Sequence, residues 1–233
     1  MIKTDDCLQA SVATPAVLKR HVVFQDWGAI DYAAALQRQI DLVDLVHQEL
    51  ARDTIVFCSH PAIVTLGRAT RADDLCGWAG PVVEVSRGGR ATYHGPSQLI
   101  AYPILDLNQR GRDLHGYMRK LEIGIVQTLA DFHIKAEGRS LQQQEGDDAA
   151  TEATGVWIGA RKIASIGIGV RKWTTYHGLA LNIDHDANAF QGMKPCGFSA
   201  STMISMEEIL GHKVDHAEVK SVLKSHLAKL LNV

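Results

Sequence analysis

The stretch from Val82 to Tyr102 restricts this chain more than any other. A β-type run, Val82-Val83-Glu84-Val85, leads into the turn Arg87-Gly88-Gly89-Arg90. Thr92-Tyr93-His94 follows, then a second turn at Gly95-Pro96-Ser97, and Leu99-Ile100-Ala101-Tyr102 resumes β character. Paired glycines let a backbone come close to another body, because no Cβ intervenes and positive φ costs nothing. Loops of that chemistry on a sheet scaffold are where binding groups gather. An RGG turn alone fits an ordinary hairpin with incidental charge. The continuation through Tyr93, His94 and Pro96 does not, since a plain connection has no use for so many special residues.

Periodicity supplies the rest of the frame. His21–Phe24 opens a first strand. Asp31 caps a helix over Tyr32–Leu50, whose Leu36, Ile40, Val43, Val46 and Leu50 share one face. Thr54–Cys58 and Ala62–Leu66 read as strands broken at His60-Pro61. Asp113 caps a second helix with a stripe of Leu114, Met118, Leu121, Ile125 and Leu129, and Phe132–Ala136 returns to strand. Residues 137–154 are polar and read as a flexible surface loop. From Lys162 to Val170 the alternation sets Ser165, Gly167 and Gly169 on one face, which leaves room either for a close-packed neighbour or for a ligand. Thr174–Tyr176 and Leu179–Ile183 read as a β pair around His177-Gly178. Ser205–Glu208 and Asp215–Glu218 read as capping boxes, the second opening a terminal helix. Strands and helices mix without strict βαβ order. The expected fold class is therefore α+β (mixed α/β), a mixed sheet with packed helices.

The 233 residues fit one domain, 1–233, with 1–20 as a loosely held leader. Hydrophobic residues make up 46% and charged residues 21%, as in ordinary soluble proteins. A formal net charge of −2 gives the chain no electrostatic reason to seek nucleic acid or an anionic membrane. No apolar run is long enough to span a bilayer, and the N-terminus lacks a signal-peptide core, so the cytoplasm is expected.

Four cysteines, Cys7, Cys58, Cys76 and Cys196, are scattered without a C-x-x-C pair. The eleven histidines show no metal spacing, and no P-loop is present. Cys196 lies in Lys194-Pro195-Cys196-Gly197, with a helix expected at Ser199–Ile204 whose N-terminus would lower the thiol pKa. It is the best nucleophile candidate. A nucleophilic thiol needs a base or cation nearby, and His94, His177 and Lys162 are the options. On residue chemistry alone, Lys162 reads as a solvated turn lysine.

Four blocks together resemble the octanoyltransferases of lipoate biosynthesis. They are Arg87-Gly88-Gly89…Thr92-Tyr93-His94-Gly95-Pro96, Gly155-Val156-Trp157-Ile158-Gly159, Lys162–Gly167 leading to His177–Asn182, and Pro195-Cys196-Gly197. Their order covers Val22 to Leu210. The resemblance implies a biotin/lipoate protein ligase-like fold with a mixed, largely antiparallel sheet. It implies a Cys/Lys dyad, with Cys196 as acyl-accepting nucleophile and Lys162 lowering its pKa. Arg87, Gly88, Gly89, Arg90, Ala91, Thr92, Tyr93 and His94, with Ser165, Ile166, Gly167, Gly178, Leu179 and Ala180, would line the acyl site.

The same resemblance implies octanoyl-acyl carrier protein as donor and a lysine of a lipoyl domain as acceptor. The acceptors would be the 2-oxoacid dehydrogenases and the glycine cleavage H protein. No ATP, metal or other cofactor is implied, and a monomer is expected. Ser97 stands where the family usually has a glycine, and residues 139–153 are longer than the usual connection. The rival readings are an ATP-dependent lipoate or biotin ligase of the same fold, a thioesterase, and a non-catalytic lipoyl-domain binding module.

Overall fold

The computed structural model describes residues 22–139 and 154–231. The expected leader, 1–20, and most of the expected loop, 140–153, lie outside the described residues. In chain order the first half forms β1 (Val23–Ala29), α1 (Tyr32–His47), β2 (Thr54–Ser59), β3 (Ile63–Leu66), β4 (Val82–Glu84), β5 (Thr92–His94) and β6 (Gln98–Ile104). The second half forms α2 (Leu114–Asp131), β7 (Glu137–Gly138), β8 (Gly155–Ile158), β9 (Arg161–Arg171), β10 (Thr174–Asn182), α3 (Met206–Leu210) and α4 (His216–Leu230).

A seven-stranded sheet runs β1-β2-β6-β10-β9-β8-β7, and a separate three-stranded sheet runs β4-β3-β5. Only β1 with β2 and β3 with β4 pair in parallel; the other pairs are antiparallel. The mixed, mostly antiparallel sheet with packed helices is the expected architecture.

The large sheet is covered on both faces, and β2 shows how. Its Ile55 and Phe57 join a core with α2 and α4, through Leu121, Ile125, Leu223 and Leu227. Its Val56 and Cys58 point the other way, toward Val43 and Val46 of α1. A strand buried on both faces reads as a continuous apolar run, as Thr54–Cys58 does. Gly124 lets α2 and α4 close on each other, since a Cβ there would stand 2.9 Å from Leu227 Cδ2.

Several boundaries differ from the sequence expectation. Asp31 does cap α1, accepting from Ala33 and Ala34, but the buried stripe is Tyr32, Ala35, Gln39, Val43 and Val46. Leu36 and Ile40 sit at its edge, and Leu50 is 71% exposed beyond the helix end. The stripe turned because Gln39 is drawn inward by a specific bond, its Oε1 accepting from His177 N–H at 2.8 Å. Phe132–Ala136 is a turn and coil rather than a strand. Glu137–Gly138, expected in the loop, pairs with Trp157 and Val156 instead. Thr174–Asn182 is one strand, joined to β9 by a two-residue turn in which Lys172 and Trp173 both have positive φ. Ser205 and Glu208 form the expected capping box. Asp215 caps α4 by accepting from Ala217 N–H. No described helix is long and apolar enough to cross a membrane.

Candidate active site

Cys196 is presented by a single 3₁₀ turn, Pro195–Gly197, in which the cysteine itself is left-handed at φ 53° and ψ 27°. That conformation is uncommon for a residue with a Cβ and persists where the surroundings over-determine it. They do so here. Cys196 N–H donates to Ala91 O at 2.8 Å, tying the turn to the segment between the RGG turn and β5. Gly197 also has positive φ, and a Cβ there would collide with the Arg90 guanidinium. Arg90 is in turn paired with the fully buried Asp74, its Nε donating to Asp74 Oδ2 at 3.1 Å. The expected helix at Ser199–Ile204 is only a short 3₁₀ turn, Ala200–Thr202. A helix dipole therefore does not activate the thiol.

Lys162 is not a solvated turn lysine: it is 1% exposed. Its amine lies 5.4 Å from the Trp157 ring centroid and 6.0 Å from that of Phe198, in cation–π range of both. Gly155 makes room for it, since a Cβ there would stand 2.8 Å from Lys162 Cε. Gly155 N–H donates to the buried carboxylate of Glu122 at 3.0 Å.

These groups converge on the sulfur of Cys196. Burial opposes the thiolate, but the Lys162 charge, the Thr92 hydroxyl, the Arg87 charge and a hydrogen bond from Lys162 outweigh it. The thiol is held below its ordinary pKa. Thr92 Oγ1 lies 3.6 Å from Cys196 Sγ. Cys58 is the contrast: burial pushes its pKa up to about 12, which makes it an inert core thiol. Cys76 is exposed, and Cys7 lies outside the described residues.

A narrow slot, partly open to solvent, is lined by Cys196, the RGG turn, β5 and the β9–β10 hairpin. Of the residues singled out from sequence, Arg87, Gly88, Gly89, Arg90, Thr92, His94, Lys162, Ser165, Ile166, Gly167, Gly178, Leu179, Ala180 and Cys196 line it. Ala91 and Tyr93 do not. Strand alternation turns them to the opposite face, into a core with Val64, Phe190, Met193 and Met203. The small face of β9 serves both of its expected uses. Ser165 and Gly167 face the slot, whereas the rings of Tyr176 and His177 fill the space over Gly169.

Sequence reasoning missed Tyr32, Tyr102 and Thr154, which also line the slot. His60 joins them through Tyr102, its Nε2 lying 2.7 Å from the Tyr102 hydroxyl. Tyr32 stacks on His94 at 5.7 Å between centroids, and its hydroxyl lies 3.4 Å from His177 Nδ1. His94 and His177 are poor bases for the thiol. Burial, with the Arg87 charge among the further causes, holds His94 well below the usual range and brings His177 down to about 3. Among the described residues no cluster of His, Cys, Asp and Glu could hold a metal ion.

Comparison with known proteins places the chain in a family. The family model "Lipoyl protein ligase A/B catalytic domain" matches residues 31–228. An octanoyltransferase of Bdellovibrio bacteriovorus is 48% identical over 216 residues, covering 90% of this chain and 99% of that protein. One of Syntrophotalea carbinolica is 39% identical, covering 89% and 93%. Among solved structures, a lipoate-protein ligase A bound with ATP superposes with a TM-score of 0.66 at 14% identity, covering 92% of this chain and 86% of that one. A biotin protein ligase from Aquifex aeolicus superposes at 0.53, covering 91% and 71%, so the fold is shared with ligases. The chain belongs to the octanoyltransferases of the lipoyl protein ligase A/B catalytic-domain family.

Proposed function

We propose that this protein moves an octanoyl group from octanoyl-acyl carrier protein, through a thioester on Cys196, to a lysine of a lipoyl domain. The observation that carries this reading is the Cys196 thiol, depressed in pKa by Lys162, in the lining of a glycine-walled slot. The relatives named octanoyltransferases support the chain length.

The thiolate of Cys196 attacks the donor thioester carbonyl, and the carrier leaves as a thiolate that takes its proton from Lys162. The acceptor amine then attacks the Cys196 thioester, Lys162 takes the amine proton, an amide forms and the Cys196 thiolate is released. Thioester exchange is nearly isoenergetic, and amide formation is downhill. The backbone N–H groups of Gly88, Cys196, Gly197 and Phe198 are all bonded to protein carbonyls. In this reading Thr92 and Lys162 are the side-chain donors beside the oxyanion. Burying about seven methylenes at ~0.8 kcal/mol each contributes roughly 5–6 kcal/mol to holding the chain.

The acceptors in this reading are lipoyl domains of 2-oxoacid dehydrogenases and the glycine cleavage H protein, served by a monomer in the cytoplasm. Incubation with octanoyl-acyl carrier protein, without ATP or metal, adds one octanoyl mass to the wild type and none to Cys196→Ser. Lipoyl domain then removes the mass and gains it. Octanoate released to water instead points to a thioesterase. Dependence on ATP would return the chain to the ligases.

A further inference from the structure

The inner end of the acyl slot is polar, which an ordinary pocket for a fatty chain would not be. Arg87, His94 and His177 line it and are 5%, 7% and 2% exposed. Each carries a buried nitrogen with no hydrogen-bond partner among the described residues: Arg87 Nε, His94 Nδ1 and His177 Nε2. The rest of each side chain is fully engaged or packed. Arg87 Nη1 and Nη2 donate to Gly88 O, Arg90 O and both oxygens of Thr65. His177 Nδ1 meets the Tyr32 hydroxyl, and the His94 ring packs between Tyr32 and His60.

Register places His177 beside Ile168, six residues along β9 from Lys162, with the Arg87 side chain over Gly167 between them. Lys162 begins β9, Gly167 lies opposite Gly178, and His177 is opposite Ile168. The Arg87 side chain crosses the face of Gly167, where a Cβ would stand 3.6 Å from Nε. His177 covers the next position on that face, its Cδ2 standing 3.1 Å from a Cβ built at Gly169. Cys196 is half-buried and lines the same slot. A chain attached to its sulfur and laid along β9 meets Arg87 and the two histidines, which line the same slot.

Buried polar groups are rarely left unpaired, and a guanidinium N–H beside two neutral imidazoles offers one donor and two groups that can accept. That set matches a water, which typically makes about three hydrogen bonds, or a hydroxyl. A methyl group pushed against any of these nitrogens would leave it unpaired. We propose that this end of the slot is a polar stop, which binds a water or a polar ω-substituent and rejects a plain chain long enough to cover it. The proposal deepens the acyl-transfer reading above and rests on it. It makes Arg87, His94 and His177 determinants of which chain is carried.

The test compares two donors of equal length and different ends. Wild-type protein is incubated with N-acetylcysteamine thioesters of octanoate, nonanoate and 8-hydroxyoctanoate, and Cys196 acylation rates are read by intact mass. An apolar pocket disfavours the hydroxyl, whereas a site that bonds it rejects the isostere lacking it. The expected result is that 8-hydroxyoctanoate acylates at least roughly tenfold faster than nonanoate. In His177→Leu the ratio falls toward one or inverts. A wild-type preference for nonanoate overturns the polar stop and leaves acyl transfer intact. The wild-type comparison decides this even where the variant fails to fold. No adduct from any of the three donors overturns the thioester reading itself, and the stop with it.

Discussion

Ile204 donates its backbone N–H to the carbonyl oxygen of Lys162 at 3.0 Å, so the segment that carries Cys196 is stitched to the strand that carries the amine facing it. A second stitch, Cys196 N–H to Ala91 O at 2.8 Å, fixes the same segment to the chain just before β5, where Thr92 follows. Thiol, amine and hydroxyl come from distant parts of the sequence and are held in register by backbone bonds. Substitutions of Lys162 or Thr92 should therefore change the chemistry of the site without dispersing it.

That relationship gives the first prediction. With its pKa depressed, Cys196 is a thiolate at pH values where an ordinary cysteine is still protonated, and its reactivity is lost as pH falls through the lowered pKa. In a Cys76→Ser background, the rate of alkylation of Cys196 against pH should rise with a midpoint below that of a free thiol. Lys162→Met should move the midpoint up by one unit or more, which slows alkylation at pH 7 by roughly tenfold. Thr92→Val removes one hydrogen bond of about 1 kcal/mol and should slow it by roughly fivefold. Identical midpoints in wild type and Lys162→Met would sink the dyad.

The frame of this fold was legible wherever a local signal set it. Asp31 and Asp113 cap their helices because a short acidic side chain meets free N–H groups, a relationship spanning two or three residues. The site was legible as residue types, through the glycines and the single well-placed thiol. What the sequence concealed is non-local. Lys162 looks solvated until Trp157 and Phe198 close over it. The β9–β10 hairpin was hidden because its turn uses Lys172 and Trp173 at positive φ, where Asn-Gly is the usual signal. Gln39 carries no apolar signal, and only a strand far along the chain turns it inward. Tyr32 and Tyr102 carry no signal of a slot, because an aromatic at helix or strand spacing ordinarily belongs to a core.

Acid should weaken this fold in a window set by histidines. Burial lowers the pKa of His60, His94 and His177, the last to about 3, against about 6.5 in an unfolded chain. Between those values the unfolded state binds more protons than the folded one, so stability rises with pH. The contribution is complete above about pH 6.5 and is lost as pH falls, by up to about 1.4 kcal/mol per pH unit for each histidine. Urea unfolding between pH 7 and pH 5 reads this slope above the range where carboxylates titrate. His177→Asn should remove about one histidine's share. A flat profile across that interval would mean that the cluster takes up protons while folded.

The buried Arg90–Asp74 pair separates holding the site from holding the fold. Asp74 is fully buried and also accepts from Arg71 N–H at 2.9 Å, and its carbonyl accepts from Lys194 N–H at 2.8 Å, two residues before the nucleophile. Asp74→Asn removes the buried carboxylate from Arg90 and leaves the longer contact to Asp73 Oδ1 at 3.8 Å, which should cost roughly 3 kcal/mol in urea unfolding. Asp74→Asn with Arg90→Met removes the guanidinium as well and should recover most of that loss, because a buried pair is often replaceable by apolar groups. Alkylation of Cys196 should not recover with it. Arg90 is the surface against which Gly197 turns, and a thioether in its place does not present a flat guanidinium there. A double variant that regains both stability and thiol reactivity would make the pair a fold element alone, with the left-handed turn at Cys196 held by its backbone bond to Ala91.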